Sequence, residues 1–189
     1  TLWFVFIGHG APTPGGGVIV GADAQQKAAS LEARGVARDE LLAALAGGRQ
    51  ARTVALLDAC FSGRVNATQA LVPGLQPSLA AARWRPRGDV VLLTAARGDQ
   101  FAGPLPGANR PAFSYLVLGA LRGWADGWRG DVQSAGQDGR ITAREAVDYA
   151  AAVLTILAPG RSQNPELAGR GADAAISEGR ESGPDLQGL

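Results

Sequence analysis

With 189 residues the chain is one domain of ordinary size, long enough to bury a sheet flanked by helices. Its 18 basic and 17 acidic residues leave a net charge of +1, so no global field points to nucleic acid or an anionic membrane as a partner. One cysteine excludes an internal disulfide and any multi-cysteine metal site, and one histidine excludes a His-rich zinc site. No apolar run reaches the roughly 18 residues of a membrane span and no signal-peptide pattern is read at the start, which predicts a cytoplasmic protein in a reducing compartment.

Residues 2–7, LWFVFI, are apolar throughout and stop at Gly8, the pattern of a central strand covered on both faces. A chain rarely opens on a core strand, so the expectation is that a segment precedes this one. GHGAPTPGGG (8–17) reads as a Gly/Pro loop, VIVGAD (18–23) as a short strand, and 24–35 as helix or loop. ARDELLAALAGG (37–48) predicts a helix with acids in its first turn, Leu41, Leu42 and Leu45 on one face, and Gly47 or Gly48 as its stop. TVALLD (53–58) and DVVLLTAA (89–96) are the second and third buried strands, and 64–87 between them is irregular with one short helix near 78–84. RPAFSYLVLGALRGWAD (110–126) forms a helix after the Gly/Pro loop 103–107. Thr142 and Glu145 make an S/T-x-x-E capping box that starts a helix over 142–157. Beyond Pro159 the periodicity is lost, and 170–189 reads as a mobile tail. Strands alternating with helices, the strands wholly apolar, predict an α/β fold with a mostly parallel central sheet and helices on both faces.

In such a sheet, functional groups collect just beyond the carboxyl ends of the strands. His9 comes two residues after the strand 2–7, and Cys60 two residues after the strand 53–58. If the strands are parallel neighbours, both side chains emerge on one rim. A thiol with its ordinary pKa of about 8.5 is only partly ionised at neutral pH, and a nearby imidazole can take its proton or return one to a leaving amine. Acyl transfer also needs donors for a developing oxyanion. The backbone N–H groups of Gly10, which carries no side chain, and of Cys60 are the natural pair. This chemistry calls for no cofactor.

FIGHG, followed 51 residues later by the cysteine of DACFSG, resembles the caspase-like cysteine peptidases, most closely their bacterial metacaspase-like branch. The histidine lies about 50 residues upstream of the cysteine in caspases. ARDELLAAL, LLTAARGDQFA, FSYLVLGAL, DGRITAREAVDY and SQNPELAG agree with the pattern in order, so the resemblance covers residues 2 to 169. It implies a three-layer caspase-like fold over 1–169, His9 as general acid/base, Cys60 as nucleophile, and Gly10 and Cys60 as oxyanion-hole amides. Asp58 matches the acid at the bottom of the family's S1 pocket. A carboxylate there favours Arg or Lys at P1, so the implied activity is cleavage of protein or peptide substrates after basic residues by a monomer.

The chain departs from that pattern in three places. The strand, helix and second S1 acid that precede the family's histidine strand are missing, and Asp99 is a candidate for the second charge. Phe61 stands where many metacaspases have His. SAGQDGRITARE (134–145) falls on an EF-hand-like frame with Asp138 at position 5 and Glu145 at position 12. Ser134 and Gly136 replace the expected carboxylates, so no metal site is predicted and calcium activation lacks its ligands.

Each residue also has a plainer reading. Cys60 can be an inert buried thiol, His9 a structural histidine, and Asp58 a turn or cap residue. Trp84, Trp124 and Trp128 can be packing anchors. Arg83, Arg85 and Arg87 are a short basic run on a solvated loop, weak as a nucleic-acid site. At the level of the whole chain the alternative is a non-catalytic caspase-like interaction or regulatory module.

Overall fold

The computed structural model describes residues 1–13, 16–59, 88–133 and 136–185. Its centre is a four-stranded sheet of β1 (Leu2–Ile7), β5 (Thr53–Asp58), β6 (Val90–Thr94) and β10 (Glu166–Gly169), in the order β1-β5-β6-β10. β1 pairs parallel with β5 and β5 parallel with β6, while β10 closes the far side antiparallel. The predicted mixed α/β architecture with a mostly parallel sheet is therefore present.

Alternation along β5 and β6 sends side chains into two cores. Val54, Leu56, Val91 and Leu93 meet α3 (Ala112–Gly119) and α4 (Ala143–Leu157) on one face. Ala55, Leu57 and Leu92 meet Leu41, Leu42 and Leu45 of α2 (Arg38–Ala46) on the other. All of these strand residues are buried, which is why 53–58 and 90–94 carry no polar alternation.

β1 corrects the expectation of a central strand covered on both faces. It stands at the sheet's edge, and only Phe4 and Phe6 pack into the α2-side core. Trp3, Val5 and Ile7 point to the opposite face and are 39%, 55% and 52% exposed, because α3 and α4 lie over β5 and β6 and do not reach them. An unbroken apolar run records that a strand is apolar, and says nothing of whether a layer lies over each of its faces.

A small second sheet, β2 (Gly10–Ala11), β3 (Val18–Val20) and β4 (Gly35–Ala37), is antiparallel and closes over Leu31 of α1 (Ala28–Arg34). The ambiguous stretch 24–35 is thus helical over 28–34. The helix read at 110–126 is α3 followed by a single π turn, Ala120–Trp124, broken at Gly123. Gly123 has φ 129°, and a Cβ there would lie 2.5 Å from the backbone nitrogen of Glu181, so both conformation and space require glycine. A two-stranded ribbon, β7 (Trp128–Arg129) with β8 (Val132–Gln133), follows.

Within 170–189, read as a mobile tail, β11 (Ala175–Glu178) pairs antiparallel with β9 (Arg140–Thr142), and the chain then runs back across the π turn. There the Glu181 N–H donates to the Arg122 carbonyl at 3.0 Å and the Glu181 carboxylate pairs with Arg122 at 2.7 Å. The helix expected near 78–84, with Arg83, Trp84, Arg85 and Arg87, lies outside the described residues. Among the described residues, no helix is long and apolar enough to cross a membrane.

The capping box of α4 is complete. The Thr142 hydroxyl accepts from the Glu145 N–H, and the Glu145 carboxylate accepts from the Thr142 N–H at 2.8 Å. That carboxylate also accepts from the Gly127 N–H at 3.3 Å, joining the helix start to the ribbon. Thr142→Ala should lower stability by about 1 kcal/mol. That is a fall in Tm of about 2–4 °C by thermal denaturation, and an unchanged Tm would contradict the role given to this cap.

Candidate functional site

The parallel pairing of β1 with β5 sets Ile7 opposite Asp58. Both strands end together, and the Gly8 N–H still donates to the Asp58 carbonyl at 3.1 Å. His9 is carried just past that point and is exposed. Its carbonyl accepts from the Val20 N–H at 2.9 Å, so the residue is held between the central sheet and the small second sheet. Gly10 opens β2 and is buried. Cys60 lies outside the described residues; Ala59, its neighbour, is buried at the same strand end.

A cavity of about 370 Å³ opens at this rim. His9, Asp58 and Ala59 line it together with Phe101, Arg110 and Pro111. The structure thus brings together His9 and Asp58, two of the residues singled out in the sequence. A second depression of about 500 Å³ borders His9 on the side of Val20 and Leu31, so His9 lines both concavities.

Asp58 is buried, and the parity of β5 turns its side chain toward α3. There Oδ2 accepts the Ser114 backbone N–H at 2.7 Å. Ser114 sits in the first turn of α3, whose own N-cap residue, Pro111, makes no side-chain cap. Asp58 therefore caps a helix from another element and complements its dipole. Burial pushes the Asp58 carboxyl above its ordinary value of 3.8, and hydrogen bonds from the Ser114 N–H and hydroxyl pull the other way without cancelling it. The cap reading and the pocket-acid reading thus fall on one side chain. One oxygen holds the helix while the same carboxylate faces the cavity.

Arg110 is the cavity wall that the sequence did not single out. Its guanidinium lies 5.4 Å from the centre of the Tyr115 ring, a cation–π position that holds a positive charge at the rim beside Asp58. The only available signal was its place just before the Pro111 helix start, and a loop arginine has many other uses.

Asp99 does not join this group. It is exposed and borders a neighbouring depression with Gly160, Arg161 and Ser162, separated from the first by Phe101 and Pro104, which line both. Loop 95–103 is held by two amides. Gln163, buried, donates to the Ala95 carbonyl and accepts from the Gly103 N–H, both at 3.1 Å. Gln100 accepts from the Asn164 N–H at 2.8 Å. This is the work of the SQN stretch, and it fixes the loop that supplies Phe101.

Asp138 and Glu145 are committed elsewhere. Glu145 is the capping carboxylate of α4, and Asp138 accepts the Arg140 N–H at 2.8 Å as a turn residue. Among the described residues, no group of three or more His, Cys, Asp or Glu side chains gathers to hold a metal ion. No family model and no curated protein matches the chain.

Asp58→Ala should cost about 1–3 kcal/mol, because it leaves the Ser114 N–H without its partner, while Asp58→Asn keeps an acceptor and should cost less. A carboxyl whose folded pKa is raised lends stability below its unfolded value and loses it as pH rises through the folded value. The Tm of the wild type relative to Asp58→Asn should therefore be most favourable below pH 3.8 and decline toward neutrality. A difference that grows with rising pH would contradict the burial of this acid.

Proposed function

We propose that the chain is a caspase-like cysteine endopeptidase that cleaves after Arg or Lys, with Cys60 as nucleophile and His9 as general acid/base. The observation that carries this reading is the shared rim. His9 and Asp58 line one cavity at the paired carboxyl ends of two parallel strands, and Cys60 follows directly on Ala59 in its wall. On this reading the three-layer arrangement is a caspase-like fold.

In the proposed reaction His9 takes the Cys60 proton and the thiolate attacks the scissile carbonyl carbon. The oxyanion meets the N–H groups of Gly10 and Cys60. The imidazolium protonates the departing amine as the C–N bond breaks, leaving a thioester on Cys60. Water, deprotonated by His9, then attacks the thioester, and the acid product and free thiol are released. The Asp58 carboxylate pairs with the P1 guanidinium or ammonium, which draws the raised carboxyl back to its charged form. The depression on the other side of His9 accommodates substrate residues beyond the scissile bond. Arg110 opposes a basic P1 by like charge, restrained by its position over Tyr115.

Fluorogenic peptides with Arg, Lys or Asp at P1, assayed in reducing buffer, test the reading. The expected outcome is hydrolysis after Arg and Lys but not Asp, abolished in Cys60→Ala and reduced by about 10²-fold or more in His9→Ala. Arg110→Gln should raise kcat/KM for P1 Arg several-fold by removing the like charge. Hydrolysis that persists in Cys60→Ala, or a preference for Asp, would overturn the assignment. A folded and inactive chain would instead favour the non-catalytic interaction module.

A further inference from the structure

One buried side chain behind the rim ties together the loops that wall its cavity. Gln163 lies in the connection between α4 and β10, and it is the one buried amide side chain among the described residues. Its amide nitrogen donates to the Ala95 carbonyl, just past β6, and its amide oxygen accepts from the Gly103 N–H. The same oxygen accepts from the Arg161 guanidinium at 3.2 Å. An amide engaged at both ends in the interior is held in one orientation.

Gly103 is where two walls of the cavity meet. Before it runs the loop that supplies Phe101, and after it the loop 104–111 that supplies Arg110. This second loop is closed at its base. The Gly103 carbonyl accepts from the Ala112 N–H at 3.3 Å, Pro104 bridges to Pro111, and the Leu105 N–H donates to the Arg110 carbonyl at 2.8 Å. A Cβ on Gly103 would lie 3.0 Å from the Phe101 ring and against the Arg161 guanidinium, so ring, guanidinium and amide close around this one position.

Other bonds to the first loop are weaker holds. Gln100 reaches Asn164 and Ser162, but those contacts are exposed and compete with water. The bonds of Gln163 to Ala95 and Gly103 are buried, where losing one leaves a backbone group without a partner. Both flanks of Gln163 are anchored, since α4 packs on the core and β10 pairs with β6. Gln163 is therefore a fixed post, and the loops are what moves when its amide is removed.

We propose that Gln163 is a positioning residue for the peptidase site, holding the Phe101 and Arg110 walls through Gly103 so that a basic P1 side chain reaches Asp58. It does not line the cavity and acts only through the loops. The role rests on the peptidase reading of the rim.

The test compares two alkylations of Cys60 on the full folded chain, followed by mass spectrometry. An arginyl chloromethyl ketone must lie in the cavity, whereas iodoacetamide needs only the thiol and His9. In the wild type the arginyl reagent should react faster. Gln163→Met, close in length but without the amide, should slow the arginyl reagent by about tenfold or more and leave the iodoacetamide rate within about twofold. Gln163→Glu keeps an acceptor for Gly103 and Arg161. It should hold the arginyl rate within about threefold of wild type, while loss of the Ala95 bond lowers Tm. Gly103→Ala displaces the same joint sterically and should slow the arginyl reagent as Gln163→Met does, which decides the question if that variant does not fold. An unchanged arginyl rate, equal slowing of both reagents, or equal loss in Gln163→Met and Gln163→Glu would overturn the proposal alone. A wild type with no preference for the arginyl reagent would instead overturn the peptidase reading, and the proposal with it.

Discussion

Parallel pairing of β1 with β5, in a register that puts Ile7 opposite Asp58, is the constraint on which the rest of the site depends. Because the two strands end level, the chain leaves both at one rim, and residues separated by about 50 positions in sequence become neighbours there. A shift of one residue in β1 would turn Phe4 and Phe6 out of the α2-side core, and one in β5 would turn out Ala55 and Leu57, so hydrophobic burial holds the register. The same parity turns Asp58 toward α3. The core thereby dictates which way the carboxylate at the rim can point.

Asp58 then carries two demands on one side chain. As a cap it stabilises the start of α3, which has no cap of its own because Pro111 occupies that position. As a buried acid it is costly to ionise without a cation. A basic group entering the cavity relieves that cost, whereas a neutral or acidic one does not. On the proposed peptidase reading, selectivity for a basic P1 group would follow from the acid's burial, with Arg110 on the Tyr115 ring tempering it.

Features whose cause is local were legible in the sequence. The α4 capping box needs only residues three apart, and β5 and β6 are buried on both faces, so their composition alone marks them. The rim placement of His9 was legible for a similar reason, since a residue just past a strand needs only the strand's end to be known. Features whose cause is distant were not. The exposure of Trp3, Val5 and Ile7 depends on how far α3 and α4 reach, and no pattern within LWFVFI records that. β10 and β11 are four-residue strands whose partners lie 72–78 and 33–38 positions away, and neither ELAG nor AISE alternates clearly. The bond from Ser114 to Asp58 spans 56 residues, and the separation of Asp99 from the His9 cavity rests on the course of a loop pinned by Gln163.

The central claim is that the single thiol of this chain reacts at a rim where His9 activates it and Asp58 selects a basic side chain. The most direct measurement is mass-spectrometric mapping of the adduct left by an arginyl chloromethyl ketone on the intact folded chain, beside the aspartyl reagent. The account predicts stoichiometric modification of Cys60 by the arginyl reagent, little by the aspartyl one, and a much slower reaction in His9→Ala. Equal modification by both reagents, or none at Cys60 in the folded chain, would contradict it.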